Sequence, residues 1–497
     1  MADAQAQGQP PQQDGPAGQL AGAAVSDPTP GTDARAGRRY PQQLARRLQV
    51  TGNLTLTLAV IGPAASVFAI GSVALGQQGS GAFLAFLLAA LISGCLAVGW
   101  AELGALYPTA GGLYGIVARV LGRRAGFLAL VLQLALFVIV PSAFALAAGQ
   151  YAAAVWPAIN PRAAALVLLA AATALAVVGI RFNAAVAAAL LALELTIILV
   201  VSVLGLANAD WSLAGTLWDP RAYAADGSAA PVSLRTLLAG VVLGLGAYAG
   251  YGGAVIFSEE TRGPRRGIAR AVLGALGVAV VAELLAIVAA LVGAPSQAEL
   301  TTAPAPMSYL VRALGGDRLV TIITLALLAT FFNILLAVLL EYARILYSSG
   351  RDRAWPAPLS FAFGRVHPTT RTPVVATLAI GVAALALTAV SDYAAAVTFA
   401  SLTVVVTFAL IALSALASRL RQPGLARPYR MPLWPLPPVV ALAGVAVTVL
   451  LQTSRDLAIV AAILAAGMVY DVVYLRPRRG IHWILLDPPA SERDVGD

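Results

Sequence analysis

Lysine is absent from this 497-residue chain, which has one cysteine and two histidines. A Walker A motif needs a lysine to reach the phosphates of a nucleotide, so its absence argues against an ATP-driven pump within this chain. The single cysteine, Cys95, excludes disulfides and cysteine-based metal sites. His367 and His482 lie in separate polar stretches, with no cysteine or acidic residue at ligand spacing. We therefore expect no cofactor and no metal site.

Charged residues are also scarce, at 11% of the chain, whereas 59% of the residues are hydrophobic. This composition excludes a soluble domain. A helix needs roughly 20 apolar residues to cross the hydrocarbon core of a bilayer. We predict an all-α polytopic membrane protein with about twelve transmembrane helices, in the apolar runs 54–75, 81–106, 125–156, 163–179, 184–207, 235–258, 268–292, 319–347, 373–390, 393–416, 435–451 and 457–474.

The 32 basic residues are all arginines, and they are unevenly distributed. If the N-terminus is cytoplasmic, 26 of the 32 fall in cytoplasmic segments and the other 6 lie across the membrane. The positive-inside rule then predicts a multi-pass protein of the cell (plasma or inner) membrane with both termini in the cytoplasm. The net charge of +9 accordingly indicates anionic lipid as a partner and not nucleic acid.

The two ends of the chain differ from its middle in composition. Residues 1–49 are rich in Gln, Pro, Ala, Gly and Asp and contain no apolar h-region. We expect a disordered cytoplasmic tail here, not a cleaved signal peptide. Residues 50–475 form the predicted membrane domain, and residues 476–497 a short, charged cytoplasmic tail.

Two of the apolar runs are interrupted near their middles. The first is broken by Gly62-Pro63, and the sixth by residues 250–253, which read Gly-Tyr-Gly-Gly. A helix that unwinds inside a bilayer leaves backbone polar groups that hydrocarbon cannot satisfy, so such a break persists only in protein or beside a cavity. A pair of broken spans at corresponding positions of two halves indicates the substrate site of a transporter.

Three stretches carry a family resemblance. Residues 101–114 read AELGALYPTAGGLY, residues 257–268 read FSEETRGPRRGI, and residues 342–353 read YARILYSSGRDR, with Thr372-Pro373 following. Together, and in this order, they resemble the signature stretches of the amino acid–polyamine–organocation (APC) superfamily of permeases.

The resemblance implies a specific architecture and activity. It implies a five-plus-five inverted repeat, over about 54–207 and 235–417, with discontinuous first and sixth helices, and two peripheral helices at about 435–475. Members of this superfamily transport amino acids, polyamines or related amines by secondary active transport, coupled to protons, sodium or exchange.

An α-amino acid substrate presents one carboxylate and one ammonium group. Free N–H groups at the start of a half-helix suit the carboxylate, and free carbonyls of an unwound helix suit the ammonium group. We expect the first set from the break in the first span and the second from the break in the sixth. The predicted substrate-binding residues are Ile61, Gly62, Pro63, Ala64, Ala65, Ser66, Tyr248, Gly250, Tyr251 and Gly252. Because small residues at such breaks also serve close helix packing, packing is the alternative interpretation.

Gly252 occupies a position where superfamily members with cationic substrates often carry a glutamate. Without that carboxylate, a second positive charge on the substrate would lack a partner, and burying an unpaired charge is costly. We therefore favour a neutral, zwitterionic amino acid. A polyamine- or choline-type amine permease is the alternative.

Several polar residues within the spans are candidates for coupling and gating. The intramembrane acids are Glu194 and Glu283, of which Glu194 is the stronger candidate for a proton-coupling role; an interhelical hydrogen bond is the structural alternative. Thr330 and Asn333 could contribute to a sodium site or hold helices together. Tyr114 could close the inner side or act as scaffolding. A proton or sodium ion is the expected coupling ion.

Four further acids lie near cytoplasmic helix ends beside arginines: Glu102, Glu259, Glu260 and Glu341. We expect salt bridges there and no proton transfer. A membrane enzyme is disfavoured, because Asp219 and Asp226 before the sixth span have no catalytic partner. A transporter-like amine sensor would keep the same substrate site and stays open. The sequence does not determine the substrate, the coupling ion or the oligomeric state.

Overall fold

The computed structural model describes Leu44 and residues 48–178, 180–209, 211–224, 226–263 and 265–486, without the side chains of residues 180–184 and Leu213. Most of the expected N-terminal tail and the end of the C-terminal tail lie outside the described residues.

The described part of the chain is built mainly from nineteen α-helices. In chain order they are α1 (Val50–Ile61), α2 (Pro63–Ser66), α3 (Ser72–Gln78), α4 (Ala82–Leu106), α5 (Gly112–Val120), α6 (Arg123–Val155), α7 (Pro161–Ala176), α8 (Ile180–Ala207), α9 (Leu213–Trp218), α10 (Leu234–Ala247), α11 (Gly253–Ile256), α12 (Arg266–Gly293), α13 (Gln297–Thr302), α14 (Pro306–Arg351), α15 (Ala357–Phe363), α16 (Val374–Val390), α17 (Tyr393–Arg421), α18 (Leu436–Leu450) and α19 (Ser454–Tyr470). Turns of π-helix at Val67–Gly71 and Asp471–Leu475, and 3-10 turns at Gly79–Gly81, Phe257–Glu260 and Arg476–Arg478, extend or join them.

Within the described residues, seven helical stretches are long and apolar enough to cross a membrane, by length and composition. They are Val50–Leu106, Arg123–Val155, Ala185–Ala207, Arg266–Gly293, Pro306–Arg351, Tyr393–Arg421 and Ser454–Arg478. Four shorter apolar helices of 10–17 residues accompany them. The number of twelve spans and the inverted repeat stay predictions.

The described chain is mostly helical, as predicted, and contains one short β-hairpin in a loop. Between α9 and α10, β1 (Arg221–Tyr223) and β2 (Ala229–Pro231) pair as an antiparallel hairpin, with Ala222 opposite Ala230. The connection holds Gly227 in a left-handed conformation, at φ +82°, which glycine adopts readily. The turn in this polar loop brings two three-residue strands together. Strands this short carry no hydrophobic pattern that would reveal them in the sequence.

Apolar side chains cover the outside of the helix bundle as well as its inside. Val382 is 64% exposed and Leu450 78% exposed, although both lie in the middle or at the end of apolar helices. A soluble protein rarely exposes large contiguous apolar patches. This exposure is typical of a surface that lipid covers.

Candidate functional site

The first helix break lies between α1 and α2. Helix α1 ends at Ile61, Gly62 adopts a left-handed conformation with φ +60° and ψ +66°, and Pro63 begins α2. Glycine accepts this conformation without steric cost, and proline is well suited to the first position of a helix, where its missing N–H is not needed. The sequence Gly-Pro thus both ends one half-helix and starts the next.

The second break separates α10 from α11. Helix α10 ends at Ala247 and α11 begins at Gly253, and Gly250 in the connecting turn has φ +116°. The backbone N–H groups of Gly250, Tyr251 and Gly252 find no hydrogen-bond acceptor among the described residues. Polar backbone groups are therefore open at this turn.

The two breaks are in direct contact. A β-carbon added to Gly250 would lie 3.0 Å from the backbone N of Ile61 and 3.1 Å from the carbonyl carbon of Val60. Since both atoms belong to the backbone, no side chain fits at position 250 without displacement of α1. Glycine at position 250 thus allows the backbone of the second break to lie directly against the backbone of the first.

A cavity of about 110 Å³ lies where the breaks meet. Both breaks contribute to it: Ile61 and Ser66 from the first, Gly250 and Gly252 from the second. Its remaining lining is mostly apolar. Much of it comes from α6, α14 and α17, including Leu136, Val140, Ala143, Phe144, Val338, Val397, Ala400, Val404 and Phe408. Such a space, apolar with a few polar groups, is typical of a small-molecule site.

The other predicted substrate residues surround the cavity without lining it. In the first break these are Gly62, Pro63, Ala64 and Ala65, and in the second they are Tyr248 and Tyr251. Both tyrosines are fully buried. Tyr248 packs edge-on against Phe86 at 5.8 Å between ring centroids, and Tyr251 stacks on Phe408 at the same distance. The tyrosines support the turn that carries Gly250 and Gly252.

Glu194 on α8 binds the start of α2. Its Oε1 accepts hydrogen bonds from the backbone N–H groups of Ala64 at 3.1 Å and Ala65 at 3.3 Å. These are N–H groups that the sequence suggested for a substrate carboxylate. In this structure a carboxylate of the protein occupies them, and it fixes α8 to the first break.

A second carboxyl group lies close to Glu194. Glu283 on α12 is fully buried, interacts electrostatically with Glu194 and Tyr248, and has no hydrogen-bond partner at either oxygen among the described residues. The sequence placed these two acids in separate helices, and the packing of both α8 and α12 against the first break brings them together.

Comparison with known proteins identifies the family. The sequence pattern of the amino acid permease family matches residues 52–472. The chain belongs to this family. The resemblance to the APC superfamily is thereby confirmed, and the chain is a transporter-family protein by this membership.

The relatives of this permease are transporters whose names differ in substrate. An uncharacterized transporter of Mycobacterium tuberculosis is 30% identical over 470 residues, covering 93% of this chain and 96% of the relative. The methylthioribose transporter of Bacillus subtilis is 24% identical, over 81% of this chain and 87% of its own. Cationic amino acid transporter 4 of Mus musculus is 27% identical, over 76% of this chain and 60% of its own.

Thr330 and Asn333 of the permease are fully buried in α14 and do not line the cavity. The hydroxyl of Thr330 donates to the carbonyl of Leu327 at 2.9 Å, and the side-chain amide of Asn333 has no partner among the described residues. The next residue, Ile334, packs on the first break, since a β-carbon on Gly62 would lie 2.6 Å from its Cδ1. This part of α14 therefore lies beside the break.

Tyr114 lies at one end of the permease, which we call the arginine-rich face and define by Arg344, Arg351, Arg419 and Arg427. The Tyr114 hydroxyl is 2.6 Å from Ser348 Oγ and 2.9 Å from Asp352 Oδ2. Burial raises the pKa of the Asp352 carboxyl above its usual range, and the positive charge of nearby Arg351 offsets only part of this rise. Tyr114 thus joins α5 to the end of α14.

Ion pairs close the arginine-rich face, as expected for three of the four acids. Glu260 pairs with Arg344, with 3.2 Å between Oε1 and Nη2, and neither side chain is exposed beyond 1%. Glu259 pairs with Arg351 at 3.0 Å. Glu102 pairs with both Arg419 and Arg427. Buried pairs of this kind fix the relative positions of α4, α14, α17 and the turn after α11.

The fourth acid, Glu341, differs from the expectation of a salt bridge. It lines the cavity, and no ion pair or hydrogen bond to it exists among the described residues. Arg344, one helical turn further along α14, is directed at Glu260. Sequence proximity to arginines was misleading here, because the packing of α14 directs Arg344 to Glu260 and Glu341 to the cavity.

A segment near the C-terminus packs on the same face. Trp483 is 4% exposed, and its ring lies 5.5 Å from that of Tyr114 and 5.6 Å from that of Phe127. The backbone N–H of Ile484 donates to the carbonyl of Asp352 at 2.9 Å. The sequence indicated only a charged tail here, because one tryptophan carries no periodic signal.

Proposed function

We propose that this permease is a secondary active transporter of neutral, zwitterionic amino acids that works by alternating access. The observation that carries the proposal is the cavity formed where two broken helices touch. Backbone unwound within a membrane protein is tolerated where it lines a cavity, and in transporters such breaks bind the substrate. Membership of the amino acid permease family supports the substrate class.

The distribution of polar groups around the cavity supports a zwitterion. The open N–H groups of Gly250 and Gly252 provide donors for a carboxylate, whereas the Ser66 hydroxyl already donates to the carbonyl of Ile61. Since Glu194 occupies the N–H groups of Ala64 and Ala65, we propose that the substrate carboxylate faces the second break. The apolar walls then accept an aliphatic side chain.

A cationic amine is the second candidate. The mouse relative is named a cationic amino acid transporter, and Glu341 places a carboxylate at the cavity of this chain. The absence of a glutamate at Gly252 favours the neutral substrate. A polyamine or choline-type substrate, and a sensor that binds without transport, are outcomes that the experiment below separates.

We propose that Glu194 couples transport to protons. Glu194 and Glu283 are both fully buried on helices that pack together, and ionising both carboxyl groups would be costly, so we infer that at least one retains a proton. Glu194 holds the N–H groups beside Ser66, which lines the cavity. A change in its charge therefore acts directly on the first break. A sodium ion near Thr330 and Asn333 is the alternative coupling ion.

The proposed topology follows from the arginine distribution. We propose about twelve spans, arranged as a five-plus-five inverted repeat with two peripheral helices, in the cell membrane, with the arginine-rich face and both termini in the cytoplasm. Small molecules and lipid are the proposed partners. The ion pairs at the arginine-rich face then represent a state closed toward the cytoplasm.

The test is uptake of radiolabelled leucine into liposomes containing the purified permease, with an inward proton or sodium gradient imposed in turn. We expect accumulation above the external concentration with one gradient, and its collapse when an ionophore dissipates that gradient. Unlabelled lysine, spermidine and choline serve as competitors. Binding of leucine without accumulation would indicate a sensor, and competition only by the polyamine or choline would contradict the neutral substrate.

A further inference from the structure

Glu341 is the only acidic side chain among the described residues that line the cavity. The residue is buried, with 6% of its surface exposed. No hydrogen-bond donor and no arginine contacts it among the described residues. It is a buried, unpartnered carboxylate at the site proposed for the substrate.

The position of Glu341 relates it to the second helix break. A β-carbon added to Gly253 would lie 3.6 Å from Glu341 Oε1, so the carboxylate lies next to the first residue of α11. The preceding residue, Gly252, lines the same cavity. Glu341 therefore places its carboxyl group beside the open backbone of the turn.

Nearby positive charges of the protein are already committed. Arg344 pairs with Glu260, Arg351 with Glu259, and Arg419 with Glu102. A buried carboxylate without a partner is costly, and a positively charged group that enters the cavity would offset this cost. A positively charged partner for an ionised Glu341 would therefore come from the cavity, and without one the carboxyl group keeps its proton.

We propose that Glu341 binds the ammonium group of the transported substrate. This inference rests on the proposed function and adds a specific residue to it. The described residues that line the cavity include a single acidic side chain. The site therefore suits a substrate with one ammonium group and an apolar side chain. It therefore favours a mono-ammonium substrate over a polyamine.

The test compares three ligands that share the same branched alkyl chain and differ in their charged groups. Leucine carries both charged groups, isopentylamine is leucine without the carboxylate, and 4-methylpentanoate is leucine without the ammonium group. Their dissociation constants are measured by thermal stabilisation of the purified full-length permease and of three variants. Glu341→Gln removes the charge at constant shape, and Glu341→Asp retains it. Glu299→Gln removes a charge from an exposed position of α13 that does not line the cavity.

We expect leucine and isopentylamine, but not 4-methylpentanoate, to stabilise the wild-type protein. Glu341→Gln should weaken both by about tenfold to a hundredfold, as expected for loss of a hydrogen bond between charged groups. Glu341→Asp should recover part of the affinity, and Glu299→Gln should match the wild type.

Equal binding of leucine to wild type and Glu341→Gln would overturn the inference and leave the proposed function standing. So would binding of 4-methylpentanoate as tightly as leucine. If none of the three ligands binds the wild type, while it melts cooperatively, the proposed function itself fails together with the inference. Because Glu341→Gln is compared by melting temperature without ligand as well, a folding defect is recognised directly.

Discussion

Replacement of Gly250 by alanine tests the contact between the two helix breaks. The added β-carbon would meet the backbone N of Ile61 at 3.0 Å and the carbonyl carbon of Val60 at 3.1 Å. Contacts this close with backbone atoms require α1 to move away from the turn. The substitution also forces a residue with a side chain into φ +116°.

Both effects destabilise the folded permease. Strained backbone conformations cost about 1–3 kcal/mol each, and overpacking of a well-packed site costs a similar amount. We expect Gly250→Ala to lose about 2–6 kcal/mol of folding free energy. Separation of the breaks should also abolish leucine binding, since the cavity is formed by their contact.

The measurement is the melting temperature in detergent, with and without leucine. Gly94→Ala is the matched control, because Gly94 lies within α4 and no atom approaches within 4 Å of an added β-carbon. Removing a helical glycine there should leave stability unchanged or raise it by about 0.5–1 kcal/mol. A Gly250→Ala protein with wild-type melting temperature and wild-type leucine binding would refute the reasoning.

Three other substitutions probe further parts of the structure. Glu260→Gln leaves the guanidinium of Arg344 buried without its partner, and we expect a loss of about 3–5 kcal/mol in thermal unfolding; a loss below about 1 kcal/mol would contradict the buried pair. Glu194→Gln should retain leucine exchange across equilibrated liposomes but lose accumulation driven by a proton gradient, and gradient-driven accumulation at the wild-type level would argue against coupling through this residue. Trp483→Ala should accelerate amide hydrogen exchange of residues 481–486, whereas unchanged protection would mean that the tryptophan does not hold this segment.

Local chemistry explains which features the sequence revealed. Gly62-Pro63 and the glycines around Tyr251 specify helix breaks through backbone preferences that need no knowledge of neighbours. Three acids near arginines, Glu102, Glu259 and Glu260, form the expected pairs. Short-range rules specified the helix breaks and the presence of ion pairs, whereas the arginine partners of Glu260 and Glu102 lie 84 and 317 positions away in the chain.

Long-range packing decided what the sequence did not reveal. The contact of Glu194 with the N–H groups of Ala64 spans 130 positions in the chain, and no periodicity encodes it. Likewise, Glu341 and Arg344 share a helix, but Arg344 pairs with Glu260 and Glu341 faces the cavity. The direction of a side chain within a helix bundle depends on how the helix is rotated about its own axis. In apolar spans with scattered polar residues, the sequence does not determine this rotation.

The most direct test of the cavity as the substrate site is an experimental structure of the permease determined with leucine bound. We expect leucine to lie between the two breaks, with its ammonium group within hydrogen-bonding distance of Glu341 and its carboxylate facing the turn of Gly250 and Gly252. Leucine bound elsewhere on the protein, with this cavity empty, would contradict the assignment of the helix breaks as the site of transport.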